Sequence, residues 1–147
     1  MKRVSLTAIC LLMLSLIAAC VAIPTKDNPS AYTRSFVQDA IRRYERDGKE
    51  ATVAYHSSVE NVDGQWYVFI GEDGHIIAHH MNERIGLALS EMADPTGYLY
   101  GEEILNATVE GSWVSYIFRN PETGEEERKH SWVVLHDGLI FGSGWYE

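Results

Sequence analysis

The segment Lys129-His-Ser-Trp-Val-Val-Leu-His-Asp-Gly-Leu-Ile-Phe-Gly-Ser-Gly-Trp-Tyr146 carries the clearest structural signal in the chain. Two runs rich in apolar, β-branched and aromatic residues, Ser131 to Leu135 and Leu139 to Trp145, lie on either side of His136-Asp137-Gly138. Asp-Gly between two such runs is typical of a β-hairpin, because glycine adopts the positive φ that a tight turn requires. Runs that are apolar on both sides of the pleat favour a central strand. We therefore predict that the rest of a sheet is built beside this hairpin.

The N-terminal segment has the pattern of an export signal. Met1-Lys2-Arg3 precedes an apolar run from Val4 to Ala19, which is shorter than the ~20 residues that a membrane-spanning helix needs. The run ends at Ile17-Ala-Ala-Cys20, which resembles the lipobox of bacterial lipoproteins and implies cleavage before Cys20 and lipidation of that cysteine. An uncleaved anchor and ordinary cleavage near Ala22 are the alternatives. We expect an exported protein, periplasmic or at the cell surface, held at a membrane by its lipid chains.

The predicted organisation has three parts. They are a signal peptide over residues 1–19, a lipidated tether over residues 20–29 and a single domain over residues 30–147. The two cysteines of the chain, Cys10 and Cys20, lie in the first two parts. No disulfide is therefore expected in the domain.

The charge balance limits the possible partners. The chain has 12 basic and 21 acidic residues, and removal of the two basic residues of the signal leaves a formal charge of −11. Such a balance argues against nucleic acid as a partner, and the folded domain has no basic patch suited to anionic lipid.

Two helices are predicted before the strands. Asn28-Pro29-Ser30 offers a capping side chain and a proline suited to the first helical turn, and apolar residues recur at helical spacing from Tyr32 to Tyr44. Asp47-Gly48 is the expected end of this helix. A second helix is expected from Lys49 to about Ser57, with Ala51, Ala54 and Tyr55 buried.

Five strands are expected. They are Trp66 to Ile70, His75 to His79, Trp113 to Phe118, a fourth strand that begins near Arg128, and the last strand of the C-terminal hairpin. Between the second and third strands the pattern is irregular, with short helical turns expected at residues 82–92 and 102–108 and a turn at Asp94-Pro-Thr-Gly97. The predicted fold class is α+β, with one five-stranded antiparallel sheet covered by helices and loops.

Several motifs occur in an order that resembles the single Cache domain, and the likeness extends over about Tyr32 to Glu147. They are Gly64-Gln-Trp-Tyr-Val-Phe-Ile70, Ile77-Ala-His79, Asp94-Pro-Thr-Gly-Tyr98, Gly111-Ser-Trp-Val-Ser-Tyr116, Lys129-His-Ser-Trp132 and Phe141-Gly-Ser-Gly-Trp-Tyr146. Cache domains are extracytoplasmic sensor modules of chemoreceptors, histidine kinases and cyclases. The resemblance implies a PAS-like sheet after a long N-terminal helix, and a pocket between the sheet and its covering loops for a small polar metabolite: a carboxylate, an amino acid or an amine.

The resemblance also implies a sensory role without catalysis. The sequence contains no second membrane segment or output domain after the Cache-like region, so we expect a signal to pass through a partner protein such as a membrane receptor or kinase. The alternatives are a structural or protein-interaction module whose pocket is filled by its own side chains, and a small hydrolase supported only by the histidines. No cofactor is expected.

The candidate ligand-binding residues are Trp66, Tyr67, Phe69, His79, Trp113, Tyr116, Lys129 and Ser131. In this reading Lys129 neutralises a carboxylate, and Ser131 or Tyr116 orients it. The alternative places Lys129 in solvent, paired with Glu125, Glu126 or Glu127. Tryptophans and tyrosines also fill the cores of sheets, and a bulge near Gly111 would change which of them face the pocket.

Three other sets of residues are weaker candidates. His75 and His79 would lie about 13 Å apart on one face of a strand, too far for one metal ion, so no metal site is expected. Asp94 is a candidate for contacting an amine, although a turn or cap before Pro95 is the favoured interpretation. Gly142-Ser143-Gly144 matches a hydrolase elbow only in part, and no catalytic residue is assigned.

Overall fold

The computed structural model describes residues 23–147 and has the predicted α+β architecture. The helices are α1 (Pro29–Asp47), α2 (Lys49–His56) and α3 (Tyr100–Leu105), and the strands are β1 (Val68–Glu72), β2 (His75–Ala78), β3 (Ser112–Arg119), β4 (Glu126–His136) and β5 (Leu139–Tyr146). Short 3₁₀ turns occur at Val59–Asn61, Asn82–Arg84 and Leu89–Glu91. Within residues 23–147 no helix is both long and apolar enough to cross a bilayer. The predicted signal peptide and Cys20 lie outside the described residues.

The C-terminal hairpin forms the middle of the sheet. The strand order is β2-β1-β5-β4-β3, and every neighbouring pair is antiparallel. The connection between β4 and β5 consists of Asp137 and Gly138, with φ angles of 49° and 79°. These positive values are those of the tight hairpin turn expected for Asp-Gly. The central position of β5 explains why its sequence is apolar on both faces.

Helix α1 covers one face of the sheet. The side chain of Asn28 accepts a hydrogen bond from the backbone N–H of Ala31 at 3.2 Å, and Pro29 occupies the first turn, as predicted. The apolar stripe Val37, Ala40 and Ile41 is buried. It forms one cluster with side chains of β1 and β5, namely Val68, Ile70, Leu139 and Phe141. We refer to this side of the sheet as the α1 face.

The predicted buried face of α2 is wrong. Ala51, Ala54 and Tyr55 are exposed, whereas Thr52 and His56 are buried. The chain enters α2 through Gly48, whose φ of +84° sets a sharp change of direction. This bend turns the face that contains residues 52 and 56, one helical turn apart, toward the protein. The exposed Tyr55 ring lies under the Arg43 guanidinium at 3.6 Å instead of entering the core.

The opposite face of the sheet is covered by residues 79–109, and we call it the covered face. The predicted helix over residues 82–92 is two 3₁₀ turns separated by Gly86, whose φ is +88°. The helical turn predicted at residues 102–108 lies slightly earlier, as α3. Side chains from α3 and the 3₁₀ turns pack against β1, β3 and β4 in a second apolar cluster.

Replacement of Gly138 tests the hairpin that orders the sheet. Gly138→Val forces a β-branched residue to a φ of +79°, and we expect a loss of about 1–3 kcal/mol in the free energy of unfolding. Gly138→Asn should cost less, because asparagine tolerates the left-handed region. Urea unfolding of the two variants measures the difference. Equal losses would show that backbone strain at this turn does not control stability.

Candidate functional site

Lys129 lies inside the protein on the covered face of the sheet. Its relative exposure is 0%. In the sheet register it pairs with Tyr116 of β3 on one side and with Tyr146 of β5 on the other. Its Nζ donates a hydrogen bond of 2.6 Å to the Tyr67 hydroxyl and lies 3.9 Å from the centre of the Tyr67 ring. This burial excludes the alternative in which Lys129 pairs in solvent with the glutamates at residues 125–127.

No acidic side chain of the described residues forms an ion pair with Lys129. Burial, and second the charge of Arg84, hold the pKa of Lys129 well below its usual value. Aromatic rings supply part of the missing stabilisation, since those of Phe118 and Tyr146 lie 5.3 and 5.4 Å from Nζ. A buried ammonium without a carboxylate is costly to stability, which makes this residue a functional candidate.

A glycine in β5 provides the space for Lys129. A Cβ atom at Gly144 would lie 2.5 Å from the Lys129 Cε and 2.9 Å from the Ser131 Oγ. A Cβ atom at Gly142 would likewise overlap the Phe69 ring. The two glycines of the Phe141-Gly-Ser-Gly motif are therefore required by close packing. They let large side chains of the neighbouring strands lie flat over β5.

Several hydroxyl groups surround Lys129. Tyr116 and Ser131 form a hydrogen bond of 2.9 Å between their side-chain oxygens, and the hydroxyls of Tyr67 and Tyr146 are 3.4 Å apart. Desolvation by burial raises the pKa of both Tyr67 and Tyr116 well above the usual value, so their phenols stay protonated. The cluster therefore offers neutral groups that can donate hydrogen bonds to an anion.

Two neutral histidines close one side of this cluster. The His79 ring lies 5.0 Å from the Tyr67 ring and the His80 ring 4.1 Å from it. Burial lowers the pKa of His79 to about 2 and that of His80 to about 4. The His79 Nδ1 accepts a hydrogen bond from the backbone N–H of Met81 at 3.0 Å, which fixes the ring. Among residues 23–147 no cluster of histidine, cysteine and carboxylate side chains is suited to a metal ion.

A small cavity lies between this cluster and the covering residues. Its walls include Tyr67, Phe69, His79, Tyr100, Tyr116 and Phe118, together with the half-buried Arg84, which also lines an open groove on the surface. Its volume is about 20 Å³, which is room for one water molecule. We call this cavity, with Lys129 and Ser131 behind its aromatic walls, the Lys129 chamber.

The structure brings together six of the eight nominated residues. Tyr67, Phe69, His79 and Tyr116 line the cavity, and Lys129 and Ser131 contact its walls.

Trp66 and Trp113 lie elsewhere, on the α1 side of the sheet. The Trp66 Nε1 donates a hydrogen bond of 2.9 Å to the Thr33 hydroxyl of α1, and the Trp113 ring lies 5.2 Å from that of Trp132. In β3, Trp113 is three residues from Tyr116, so the pleat turns it to the opposite face, and Trp66 lies next to Tyr67 just before β1 and is turned away from it in the same way.

Sequence reasoning missed several chamber residues. Phe118 lies two residues after Tyr116 and therefore on the same face of β3. Tyr146 pairs with Lys129 in the register, so it also lies on that face, and the strand pattern could have predicted both residues. The ring of Tyr100 stacks on that of Tyr116 at 3.9 Å. Neither Tyr100 nor Arg84 has a comparable signal, because the irregular segment that holds them has no periodic pattern.

Asp94 has the turn role that was the favoured interpretation. Its carboxylate accepts hydrogen bonds from the backbone N–H groups of Thr96, Tyr98 and Ile117, at 2.8, 3.2 and 3.1 Å. These bonds, with that from the Thr96 hydroxyl as the largest cause, lower the pKa of Asp94 to about 2. Since Ile117 belongs to the edge strand β3, Asp94 ties the covering segment to the sheet.

Three solved structures share this fold. A methyl-accepting chemotaxis protein from Vibrio parahaemolyticus has a TM-score of 0.69 and 13% identity, with 80% of this chain and 87% of that chain covered. A periplasmic sensor domain of a chemotaxis protein has a TM-score of 0.59 and 23% identity, with 77% and 86% covered. A Cache chemosensory domain described for carboxylic acid recognition has a TM-score of 0.63 and 24% identity, with 80% and 92% covered.

At these levels of identity the likeness establishes the fold. No family model matches the chain, and no curated protein matches it.

The buried histidines predict a loss of stability in mild acid. The unfolded chain binds a proton at His79 below about pH 6.5, whereas the folded protein does not until about pH 2. The free energy of unfolding therefore falls as the pH drops below 6.5. At pH 5, His79 alone should lower it by about 2 kcal/mol. His79→Gln should make the dependence of stability on pH shallower between 7 and 5, as measured by urea unfolding.

The matched control is His75→Gln, because His75 is exposed. This variant should keep the pH dependence of the original protein. The interpretation of His79 as a buried neutral group would be wrong if both variants gave the same slope.

Proposed function

Since the chain has the fold of a single Cache-like sensor domain, we propose that it is the ligand-binding module of an extracytoplasmic sensory system and that its ligand is a small carboxylate held by Lys129. The observation that carries this proposal is a fully buried lysine without an acidic partner among the described residues. A carboxylate would supply the missing negative charge. The hydroxyls of Tyr67, Tyr116 and Ser131 lie where they can orient it.

The charges around the chamber select among the three ligand classes that the resemblance implies. An amine would meet the positive charges of Lys129 and Arg84 and no carboxylate of the chamber walls. An amino acid would leave its ammonium group unpaired in the same surroundings. A simple carboxylate is therefore the ligand class that these side chains favour.

The size of the chamber favours a small ligand. A volume of about 20 Å³ does not accept even acetate without movement of a wall. Three backbone hydrogen bonds join residues 86–89 to the β1–β2 hairpin, whereas the backbone hydrogen bonds within residues 79–85 are local 3₁₀ bonds. Residues 79–85 are therefore the part of the cover that can be displaced without breaking any of these three bonds. The similarity to a Cache domain described for carboxylic acid recognition supports the same ligand class.

The cellular setting follows from the N-terminal sequence. We propose that the signal peptide directs export, that Cys20 is lipidated, and that the domain is thereby held at a membrane in the periplasm or at the cell surface. A membrane receptor or kinase would receive the signal. No catalytic step is part of this proposal.

The closed chamber favours one second candidate function. If the aromatic side chains fill this space permanently, the domain is an interaction module that docks a partner without a ligand. The volume of about 20 Å³ is the specific observation for this alternative. The buried lysine is the observation against it, because a permanently filled core is more stable with an apolar residue at that position.

Replacement of Lys129 by methionine separates the two functions. Without ligand, Lys129→Met should raise the stability of the protein, because it removes an unpaired buried charge and keeps a side chain of similar length. In the original protein, a bound carboxylate such as acetate, propionate or lactate, at 100 times its dissociation constant, should raise the free energy of unfolding by about 2.7 kcal/mol. The variant should gain nothing from them. Thermal unfolding with and without each carboxylate measures both effects.

Lys49→Met is the matched control, since the Lys49 side chain is 50% exposed. It should leave the response to carboxylates unchanged. If Lys129→Met destabilised the protein and no carboxylate stabilised the original chain, Lys129 would be a structural residue and the interaction module would be the better account.

A further inference from the structure

Arg84 stands between the Lys129 chamber and solvent. It lines the outer side of the cavity and also an open groove of about 560 Å³ on the protein surface. Its guanidinium carbon lies 4.7 Å from the centre of the Phe118 ring, and its Nη1 donates a hydrogen bond of 3.4 Å to the Tyr100 hydroxyl. The hydrogen bond is long, and neither contact involves a carboxylate, so the inward position gives Arg84 no ionic partner.

The outer groove offers Arg84 a second position. Glu125 and Glu126 line this groove together with Arg84, and Glu126 is exposed. Within the described part of the chain Arg84 makes no ion pair in its inward position. An outward rotation would bring its guanidinium toward these carboxylates and would remove the outer wall of the cavity.

The inward position places two cations on one ring. The Arg84 guanidinium carbon and the Lys129 Nζ lie 4.7 and 5.3 Å from the centre of the Phe118 ring. The charge of Arg84 contributes to the low pKa of Lys129, so the two positive groups repel each other in a chamber whose walls contain no carboxylate. A bound anion would reverse the sign of this interaction, because both cations would then be attracted to the same negative charge.

We propose that Arg84 is the gate of the Lys129 chamber and the second cationic contact of its anion, and that Glu125 and Glu126 hold its side chain when the chamber is open. The anion contact rests on the carboxylate binding proposed above, whereas the gate does not. In the empty protein Arg84 lies inward most of the time, and repulsion from Lys129 together with attraction by the two glutamates makes the open position accessible as a minor state. Entry of a carboxylate draws Arg84 inward and closes the chamber.

The gate is tested without any ligand by reductive methylation of lysine with formaldehyde and a borane reductant. Mass spectrometry of peptides gives the rate at Lys129, with the half-exposed Lys26 and Lys49 as internal references. Arg84→Ala should raise the rate at Lys129 at least about tenfold by removing the outer wall. Arg84→Gln is the second variant, in case the alanine variant does not fold.

Two further variants test whether Glu125 and Glu126 hold the gate open and whether the effect is specific to Arg84. The double change Glu125→Gln and Glu126→Gln should lower the rate at Lys129, because the open position loses its partners. Arg119→Ala is the matched control, since Arg119 lines the groove but not the cavity. Unchanged rates in the Arg84 variants, or equal rates for Arg84→Ala and Arg119→Ala, would overturn the gate.

The anion contact is tested with acetate, propionate and lactate as probes. Arg84→Ala should weaken the binding of the tightest probe about tenfold and abolish its protection of Lys129 from methylation. Equal binding by the original protein and the variant would overturn the anion contact and leave the proposed function intact. If no probe binds the original protein, the proposed function and the anion contact both fail, while the methylation rates still decide the gate.

Discussion

The charge of Lys129 is the constraint on which the rest of the covered face depends. A strand turns successive side chains to opposite faces, which places Lys129 on the covered face, where the side chains above the sheet leave it 0% exposed. Every neighbouring feature accommodates its head group. Gly144 leaves room for its stem, the Tyr67 hydroxyl accepts a hydrogen bond from its ammonium, and aromatic rings face its charge. None of these contacts supplies a negative charge.

The two faces of the sheet differ in the side chains they bury and in the elements that cover them. On the α1 face, a regular helix with a capped start packs apolar side chains against the central strands. On the covered face, hydroxyls and neutral histidines lie among aromatic rings beneath a cover of short 3₁₀ turns. The first arrangement provides stability. The second contains polar groups and a thin cover, the features that the proposed carboxylate site would use.

The sequence was informative wherever a local signal decided the outcome. Asp137-Gly138 determined the hairpin, and Asn28-Pro29 determined the start of α1, because turn and cap chemistry depends on a few adjacent residues. That Lys129 and Tyr116 share one face is implied only by the resemblance to Cache domains, because alternation along the strands leaves the face open when a bulge near Gly111 is possible. The burial of the lysine was expected only through the resemblance to Cache domains.

The errors arose where tertiary geometry decides. The bend at Gly48 determines which face of α2 is buried. Composition alone favours Ala51 and Ala54 as the buried residues, whereas the structure buries Thr52. Trp66 and Trp113 were assigned to the pocket by their size and chemistry, whereas the pleat turns them to the other face. Arg84 lies in a segment without periodicity, so nothing in the sequence placed it beside Phe118.

The pKa of the Lys129 ammonium is the most direct measure of the central claim, that this lysine is buried without a counter-charge. It can be followed by nitrogen-detected NMR of lysine side chains during a pH titration in a buffer free of carboxylates, with Lys49 as the exposed reference. We expect the pKa of Lys129 to lie well below its usual value and to rise when a bound carboxylate supplies the missing charge. A pKa equal to that of Lys49, unaffected by any carboxylate, would contradict this account.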